Sequence, residues 1–286
     1  MWRIIFSIKI IRQRIKSNMK IVMNRAIFII GIIGLWELVY RLSLFSPLIF
    51  PSVITIFEAL VVGVMEQHLL MRTYNSILII FQGLGVGILI ALSLMALALM
   101  HKFLYQLVEN LIVFLNPIPG MAIFPLAMIW FGAGRNSIVF AIVHSVVWGL
   151  LLNIMSGIHS IPSVYKEIGL NMGLGRLQMV KNIYIPACMP EIISGVKIGL
   201  ARAWRTAIAA EMAFGLIGVH AGLGWHMSFM RNTLDIPGLF AGVIVIALAG
   251  IILEDLVFST LERRTVVKWG MKNELSRNKK LDKSFY

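Results

Sequence analysis

The chain has 286 residues, 59% of them hydrophobic and only 14% charged, with a mean hydropathy of +0.87, too little polar surface to cover a soluble fold of this length. A net charge of +13 does not signal a nucleic-acid partner, because the basic residues sit in the tails and alternate loops and not in a cluster interleaved with aromatics. The single cysteine, Cys188, excludes an intramolecular disulfide and a cysteine-based metal cluster, and reads as a small buried hydrophobe.

The opening stretch, MWRIIFSIKIIRQRIKSNMK, places Arg3, Lys9, Arg12, Arg14, Lys16 and Lys20 between apolar residues. This pattern suits a segment, residues 1–24, lying on an anionic inner leaflet. An apolar span over about 25–40 follows without a small-residue cleavage site, so it reads as an uncleaved first helix. The stretch SPLIFPSVITIFEALVVGVMEQHL begins with proline and serine and interposes Glu58, Glu66 and His68, which predicts an external amphipathic helix grouped with the first span in residues 25–71.

Further spans are expected at about 75–100, 107–131, 137–158, 191–214 and 237–259, inside a core of residues 72–260, with a basic tail at 261–286. The fold class is therefore all-α, a polytopic membrane protein of about six spans. Pro117 and Pro119, in NPIPG, should break or kink the third span. Gly83 and Gly87, Gly195 and Gly199, and Gly238 and Gly242 are each four apart, so each pair shows one backbone face for close helix packing.

Charge orients the chain. With the N-terminus inside, the inner segments hold Arg3, Lys9, Arg12, Arg14, Lys16, Lys20, Arg25, Lys102, Lys166, Arg176, Lys181, Arg263, Arg264, Lys268, Lys272, Arg277, Lys279, Lys280 and Lys283. The outer loops hold only Arg41, Arg72, Arg135 and Arg231. The positive-inside rule puts both termini in the cytoplasm, and with them the loop 159–186.

That loop contains EIGLNMGLGRLQMVKNIYIP, Glu167 to Pro186, the most polar passage between two spans. Ser163 is placed to cap a short helix through about Met172. Gly173 and Gly175 permit a sharp reversal. A second helix is expected from Arg176, with Leu177, Val180 and Tyr184 on one flank, Arg176, Gln178 and Lys181 offering polar contacts, and Pro186 ending it. Such a segment is either a docking element or an interfacial helix lying under the headgroups.

Beyond Glu191 at its start, four charges fall within the fifth span. At 100° per residue Lys197, Arg202, Arg205 and Glu211 lie at about 0°, 140°, 80° and 320°, one broad face that should look into the bundle or an aqueous cavity. They read either as a cationic path for a small anion, or as a snorkelling lysine and arginines paired with Glu37, Glu254 or Asp255. His144 is a candidate for the same cavity or a satisfied structural group. Trp225 and His226 belong to the external loop before the last span, as contacts for a partner, an outer gate or an interfacial anchor. His68, His101, His159 and His220 are too scattered for a metal site, and no nucleophile–base pair or acid dyad suggests an enzyme.

Within the loop, Glu167, Gly173, Ile183 and Pro186 stand at the spacing of the Glu-Ala-Ala…Gly…Ile-x-Leu-Pro motif, with Ile168-Gly169 in place of the alanines and Ile185 in place of the leucine. On this motif the chain resembles the permease subunits of binding-protein-dependent ABC importers of type I. NPIPGMAIFPLAMIWFGAG, GLARAWRTAIAAEM, GLGW and LERRTVVKWGM are similar to the nitrate, taurine, alkanesulfonate and bicarbonate group, over roughly residues 47–271.

The resemblance implies a homodimer in a bacterial inner membrane, with two cytoplasmic ATPases and an external solute-binding protein. Glu167, Gly173, Gly175, Arg176, Leu177, Val180, Lys181, Tyr184 and Pro186 would then belong to the coupling segment. The chain itself contains no G-x-x-x-x-G-K-[ST] phosphate loop, so ATP and its magnesium are expected on the partner and no cofactor on this chain. The rival expectation is a self-sufficient secondary transporter or channel, which should show paired broken helices in its two halves; only NPIPG reads as broken.

Overall fold

The computed structural model describes residues 23–24, 27–214 and 221–264, all of whose regular structure is helical. The basic opening segment through residue 22, Arg25, His220 and the tail from 265 lie outside the described residues. In chain order the helices are α1 (residues 27–41), α2 (Val53–Met65), α3 (Leu69–Ala98), α4 (Lys102–Leu115), α5 (Gly120–Phe131), α6 (Arg135–Ser160), α7 (Ser163–Asn171), α8 (Arg176–Met179), α9 (Ile185–Ala187), α10 (Met189–Phe214), α11 (Leu223–Asn232) and α12 (Ile236–Arg264).

The bundle is built around α6. Its residues Ile138, Ile142 and Val146 pack with Ile80 and Leu84 of α3, Phe124 of α5 and Leu200 and Ala203 of α10. One helical stretch further on, Leu150, Leu151, Ile154 and Ile158 meet Ala91, Met95 and Ala98 of α3 and Cys188. Lipid tails are as apolar as these side chains, so association depends on close fit more than on burial from water. The glycines supply that fit. A β-carbon at Gly83 would strike Ile142, one at Gly87 would lie 2.9 Å from Val146, and one at Gly195 would lie 2.6 Å from Leu150. Gly242 gives Met227 of α11 the same access to α12, where a β-carbon would lie 2.6 Å from its sulfur.

Among the described residues three helices are long and apolar enough to cross a membrane straight: Leu69–Ala98, Arg135–Ser160 and Ile236–Leu256. Two further candidates are bent pairs. Lys102–Leu115 and Gly120–Phe131 meet at 102°, and Arg176–Ala187 and Met189–Ala213 meet at 68°. Counting each bent pair as one span gives up to five among the described residues, against the six expected; α1, 15 residues over 27–41, is shorter than a full span. The third expected span has a right-angled break at Asn116–Pro119, well beyond a kink, because Pro117 and Pro119 cannot supply backbone donors to continue α4.

The two ends of the bundle differ. At one, Leu69 packs on Ile208 and Leu223, at the starts of α3 and α11 and late in α10. At the other, Ala98, Ile158, Ile161 and Cys188 share a cluster, so the α3–α4 turn and the segment following α6 lie together. Ser52 caps α2, its Oγ accepting from the Thr55 amide at 3.1 Å. Trp36 of α1 donates to the Pro51 carbonyl at 2.9 Å and stacks on Phe50, fixing the link between these helices.

Replacing Gly83 with leucine should separate α3 from α6, because the added side chain has no space beside Ile142. Overpacking of this kind costs about 1–3 kcal/mol. A lowered midpoint in thermal unfolding of the detergent-purified protein, with a smaller shift for Gly85→Leu, whose β-carbon meets nothing within 4 Å, checks this.

Candidate functional site: a cationic cavity and a terminal turn

The broken span, α6 and α10 enclose a cavity of about 380 Å³. Its floor is the break itself. The restart at Gly120 lies so close to α6 that a β-carbon there would collide with Ser145 Oγ, which only glycine avoids. Ser145 Oγ and Thr206 Oγ1, 2.8 Å apart, share a hydrogen bond that ties α6 to α10.

Two arginines of α10 line the cavity. Arg202 passes beside Gly149, where a β-carbon would lie 2.5 Å from its Nη1. Its Nη1 donates to Asn116 Oδ1 at 2.9 Å, so the guanidinium holds the end of α4 against α10. Arg205, about one turn further on, is exposed on the cavity wall. Among the described residues neither arginine is in an ion pair, and Glu37, one of the acids considered as a partner, pairs with Arg41 at 3.0 Å.

His144 also lines the cavity at 8% exposure. Among the described residues neither of its ring nitrogens has a hydrogen-bond partner, and the indole N–H of Trp148, whose ring lies edge-on at 6.3 Å, is equally buried and unpartnered there. Each unsatisfied buried group costs about 1–3 kcal/mol unless something enters to meet it. Among the described residues no carboxylate lines the cavity. Two fixed positive charges with spare donors favour an anion, by about 4 kcal/mol per contact at 4 Å and an effective dielectric near 20.

The other sequence-predicted members of this face lie elsewhere. Lys197 is exposed and outside the cavity lining. Glu211 is 1% exposed and works at the opposite end of α10. It accepts from Ser76 Oγ at 2.7 Å and from the Gly224 amide at 2.9 Å, while Ser76 Oγ accepts from the Leu223 amide at 2.9 Å. It thus helps satisfy free amides at the start of α11 and is no part of the cavity lining. The angular projection missed this because Lys197 and Glu211 are ~21 Å apart along the axis at 1.5 Å per residue.

Trp225 lies half-buried beneath the Arg72 guanidinium, 4.4 Å from its ring, and stacks on Phe229. His226 is 1% exposed, packed beside Gly242, and so is not a surface contact. Burial first, then the charge of Arg72, holds it at about 4, well below the ordinary histidine range.

The turn after α6 departs from its expected capping. Pro162, not Ser163, occupies the cap of α7, whose first residue is Ser163, and no side chain caps it. Gly173, at φ 70°, makes the reversal, a conformation that a β-branched residue resists. The Gly175 amide donates to Gln178 Oε1 at 2.9 Å to start α8. Gly169, in the second alanine position of the motif, is buried where a β-carbon would clash with Ile183 and Met179, so this packing is tighter than alanine allows.

Pro186 does not end the second helix. A π-turn at Val180–Tyr184 shifts the hydrogen-bond register, the Ile185 amide reaching the Val180 carbonyl, and Pro186 then sits in the first turn of α9, where its missing donor costs nothing. Nor do Leu177, Val180 and Tyr184 form one flank: Leu177 is 68% exposed, Val180 is buried and Tyr184 is half-buried. Arg176 Nη1 donates to the Met100 carbonyl, fastening α8 to the α3–α4 turn. Glu167 and Lys181 are exposed.

Comparison with known proteins agrees with this geometry. Residues 83–267 match the family described as binding-protein-dependent transport system inner membrane component. The chain belongs to this family. A putative ABC transporter permease protein of Methanocaldococcus jannaschii is 30% identical over 224 residues, covering 77% of this chain and 82% of that one. The taurine transport system permease protein TauC of Escherichia coli is 28% identical, over 82% and 85% of the two chains, and the nitrate import permease protein NrtB of Synechocystis is 27% identical, over 61% and 59%. Among solved structures, the inward-facing MetNI methionine ABC transporter matches with a TM-score of 0.60 at 15% identity, over 71% of this chain and 97% of that one, which places the fold with it. The chain is thus an ABC transporter permease, a multi-pass protein of the inner membrane.

The Arg202–Asn116 bond makes the two arginines of this permease separable. A hydrogen bond to a charged group contributes about 1.5–3 kcal/mol. Arg202→Gln and Asn116→Ala should each lower the thermal midpoint of the purified permease, and the double variant should fall no further than the worse single. Arg205→Gln should leave the midpoint unchanged. Unfolding monitored by circular dichroism across the four variants checks this.

Proposed function

We propose that this permease forms, as a homodimer, the translocation path of an ATP-driven importer for a small anionic solute. It takes its driving force from cytoplasmic ATPases through the turn Glu167–Pro186. The observation that carries the coupling assignment is the apolar face this turn leaves uncovered. Val164, Tyr165, Ile168, Leu170, Met172 and Leu177 are 57%, 56%, 48%, 66%, 70% and 68% exposed. Rimmed by Lys166, Glu167, Arg176 and Lys181, such a patch has the composition of a protein-binding surface. A solute delivered by an external binding protein would enter at the opposite end, near Trp225. ATP and magnesium belong to the ATPases.

Solute class is supported by the cavity, lined by Arg202 and Arg205 and free of carboxylates. The relatives named for taurine and nitrate transport carry anionic or zwitterionic cargo in their names. A second bend, at Cys188, means that NPIPG is not the one broken helix. That bend lies beside the coupling turn, at the end of the bundle, and family membership favours the importer over a self-sufficient transporter.

Gly173→Val should block the reversal and remove the apolar face from its docking geometry. Assembly with the ATPase, or stimulation of ATP hydrolysis by loaded binding protein, is expected to fall at least tenfold. Co-purification and a phosphate-release assay measure both, and normal stimulation in this variant would refute the coupling assignment.

Orientation has its own check. Cysteines introduced at Ser160 and Asn232, in a background lacking Cys188, should react with a membrane-impermeant maleimide from opposite sides in intact cells and inverted vesicles. Labelling of both from the outside would overturn the topology.

A further inference from the structure

The bend that begins α10 leaves a space at the end of the bundle. Past the bend α10 touches α6, where a β-carbon at Gly195 would lie 2.6 Å from Leu150. Before it the segment Arg176–Ala187 departs at 68°, and a cavity of about 250 Å³ lies between that segment, the late halves of α3 and α6 and the start of α10. We propose that this cavity holds one acyl chain of an anionic phospholipid, with the lipid phosphate at Arg176 and Lys181.

The interior calls for an apolar guest. Its α3 wall is Leu92, Met95, Ala96 and Leu99, whose spacing puts all four on one face of the helix. Apart from the Tyr184 hydroxyl and the Cys188 thiol, the lining side chains are hydrocarbon or thioether. Water needs several polar partners to stay in a cavity, and this lining does not supply them. Left empty, the walls would lose the dispersion contacts that a close-packed interior gains. From Leu92 to Leu99 the wall runs ~10 Å at 1.5 Å per residue. A volume of about 250 Å³ along such a wall suits one flexible chain.

The mouth opens where such chains are found. Leu92 and Ile185 line the cavity and are 37% and 42% exposed. Leu89 and Leu97 beside them on α3 are exposed as well, so the mouth continues onto the apolar outside of a membrane-spanning helix. In a multi-pass protein that surface meets lipid tails.

Charge selects the lipid. Arg176 donates Nη1 to the carbonyl of Met100, the residue after Leu99 of the lining. A guanidinium has further N–H donors, in a fork that suits two phosphate oxygens. Lys181 is exposed and follows Val180 of the lining, four residues before Ile185. Among the described residues neither cation is in an ion pair. Glu191 is not in the lining and packs beside Gly157 of α6. An apolar slot with two cations at one end fits an amphiphile with an anionic head. A neutral lipid would fill the slot and leave the cations unmet; free phosphate would do the reverse.

The test uses the full-length permease, delipidated in detergent, alone and without nucleotide, so its outcome is separate from that of the importer reading. Phosphatidylglycerol and phosphatidylcholine, each carrying a photoreactive diazirine at the end of one acyl chain, are titrated, and the attachment sites are read by mass spectrometry. Phosphatidylglycerol should label saturably, at one site per chain, within residues 92–99, 154–158 and 180–192. Phosphatidylcholine should need at least fivefold more lipid. Ala96→Phe, which fills the cavity, should lower the labelling at least fivefold, and Leu248→Phe, on the exposed side of α12, should not change it. Arg176→Gln combined with Lys181→Gln should erase the preference for phosphatidylglycerol while the chain still labels the same residues.

Thermal midpoints of the same samples show whether the variants fold; if Ala96→Phe lowers the midpoint, Leu92→Trp at the mouth takes its place. Label spread over the exposed faces of α1, α5 and α12 would mean annular lipid only and would overturn the site. Unchanged labelling in Ala96→Phe and Leu92→Trp would overturn it too, and equal labelling of the wild type by the two lipids would overturn the role of the cations. Inorganic phosphate at constant ionic strength should not displace the lipid. Displacement would show that the cations recognise free phosphate, and the lipid assignment would fall.

Discussion

A guanidinium inside an apolar bundle must be paired, hydrogen-bonded or hydrated, and the architecture of this permease is organised by that requirement. Arg202 is met by Asn116, which is available only because the third span breaks there. The break is possible because Pro117 and Pro119 give up donors that a continuous helix would need. It is tolerated because its restart is seated on α6 at Gly120. Gly149 then supplies the passage through which the guanidinium reaches it. A glycine, a broken helix and a charged side chain are therefore one device. Its by-product is the cavity, since irregular backbone at membrane depth is stable only where protein or a water-filled space surrounds it.

Much of this was legible in the sequence, for identifiable reasons. Apolar runs of sufficient length give the spans, and paired prolines give the break. Glycine pairs four apart mark close contacts because a β-carbon has only one direction to go. What escaped was information along the helix axis. Lys197, Arg202, Arg205 and Glu211 share an angular sector, yet only the middle two reach the cavity. Glu211 serves the start of α11, through a partner, Ser76, that lies 135 positions earlier in the chain. No local pattern announces a contact at that separation.

The turn after α6 shows where a motif outperforms generic rules. Standard capping predicts a cap at Ser163, which fails, and a stop at Pro186, which falls one residue before the segment ends at Ala187. Pro162 takes the cap, and a π-turn absorbs the proline by moving the hydrogen-bond register before it arrives. The spacing of Glu167, Gly173, Ile183 and Pro186 was nevertheless a better guide than propensity. It encodes the whole turn: a left-handed reversal at Gly173, the seat of Ile183 against Gly169, and the proline that follows the π-turn.

The last step joins the turn to the cavity. α10 begins at Met189, just after the bend at Cys188, and carries Arg202 and Arg205 about three to four turns later. Between them it is fastened to α6 by the close approach at Gly195, and at the cavity by the Ser145–Thr206 bond. These two attachments hold α10 against α6 at both levels. Compliance is left at Cys188, where two helical segments meet at 68°. A force applied to the exposed face of the turn would thus pass through one bend and then act on the wall that carries the arginines. The cavity donors on α6, His144 and Trp148, belong to the helix at the centre of the core. Relative movement of α10 against α6 would change the shape of the cavity between them, because Arg202 and Arg205 stand on one of these helices and His144 and Ser145 on the other.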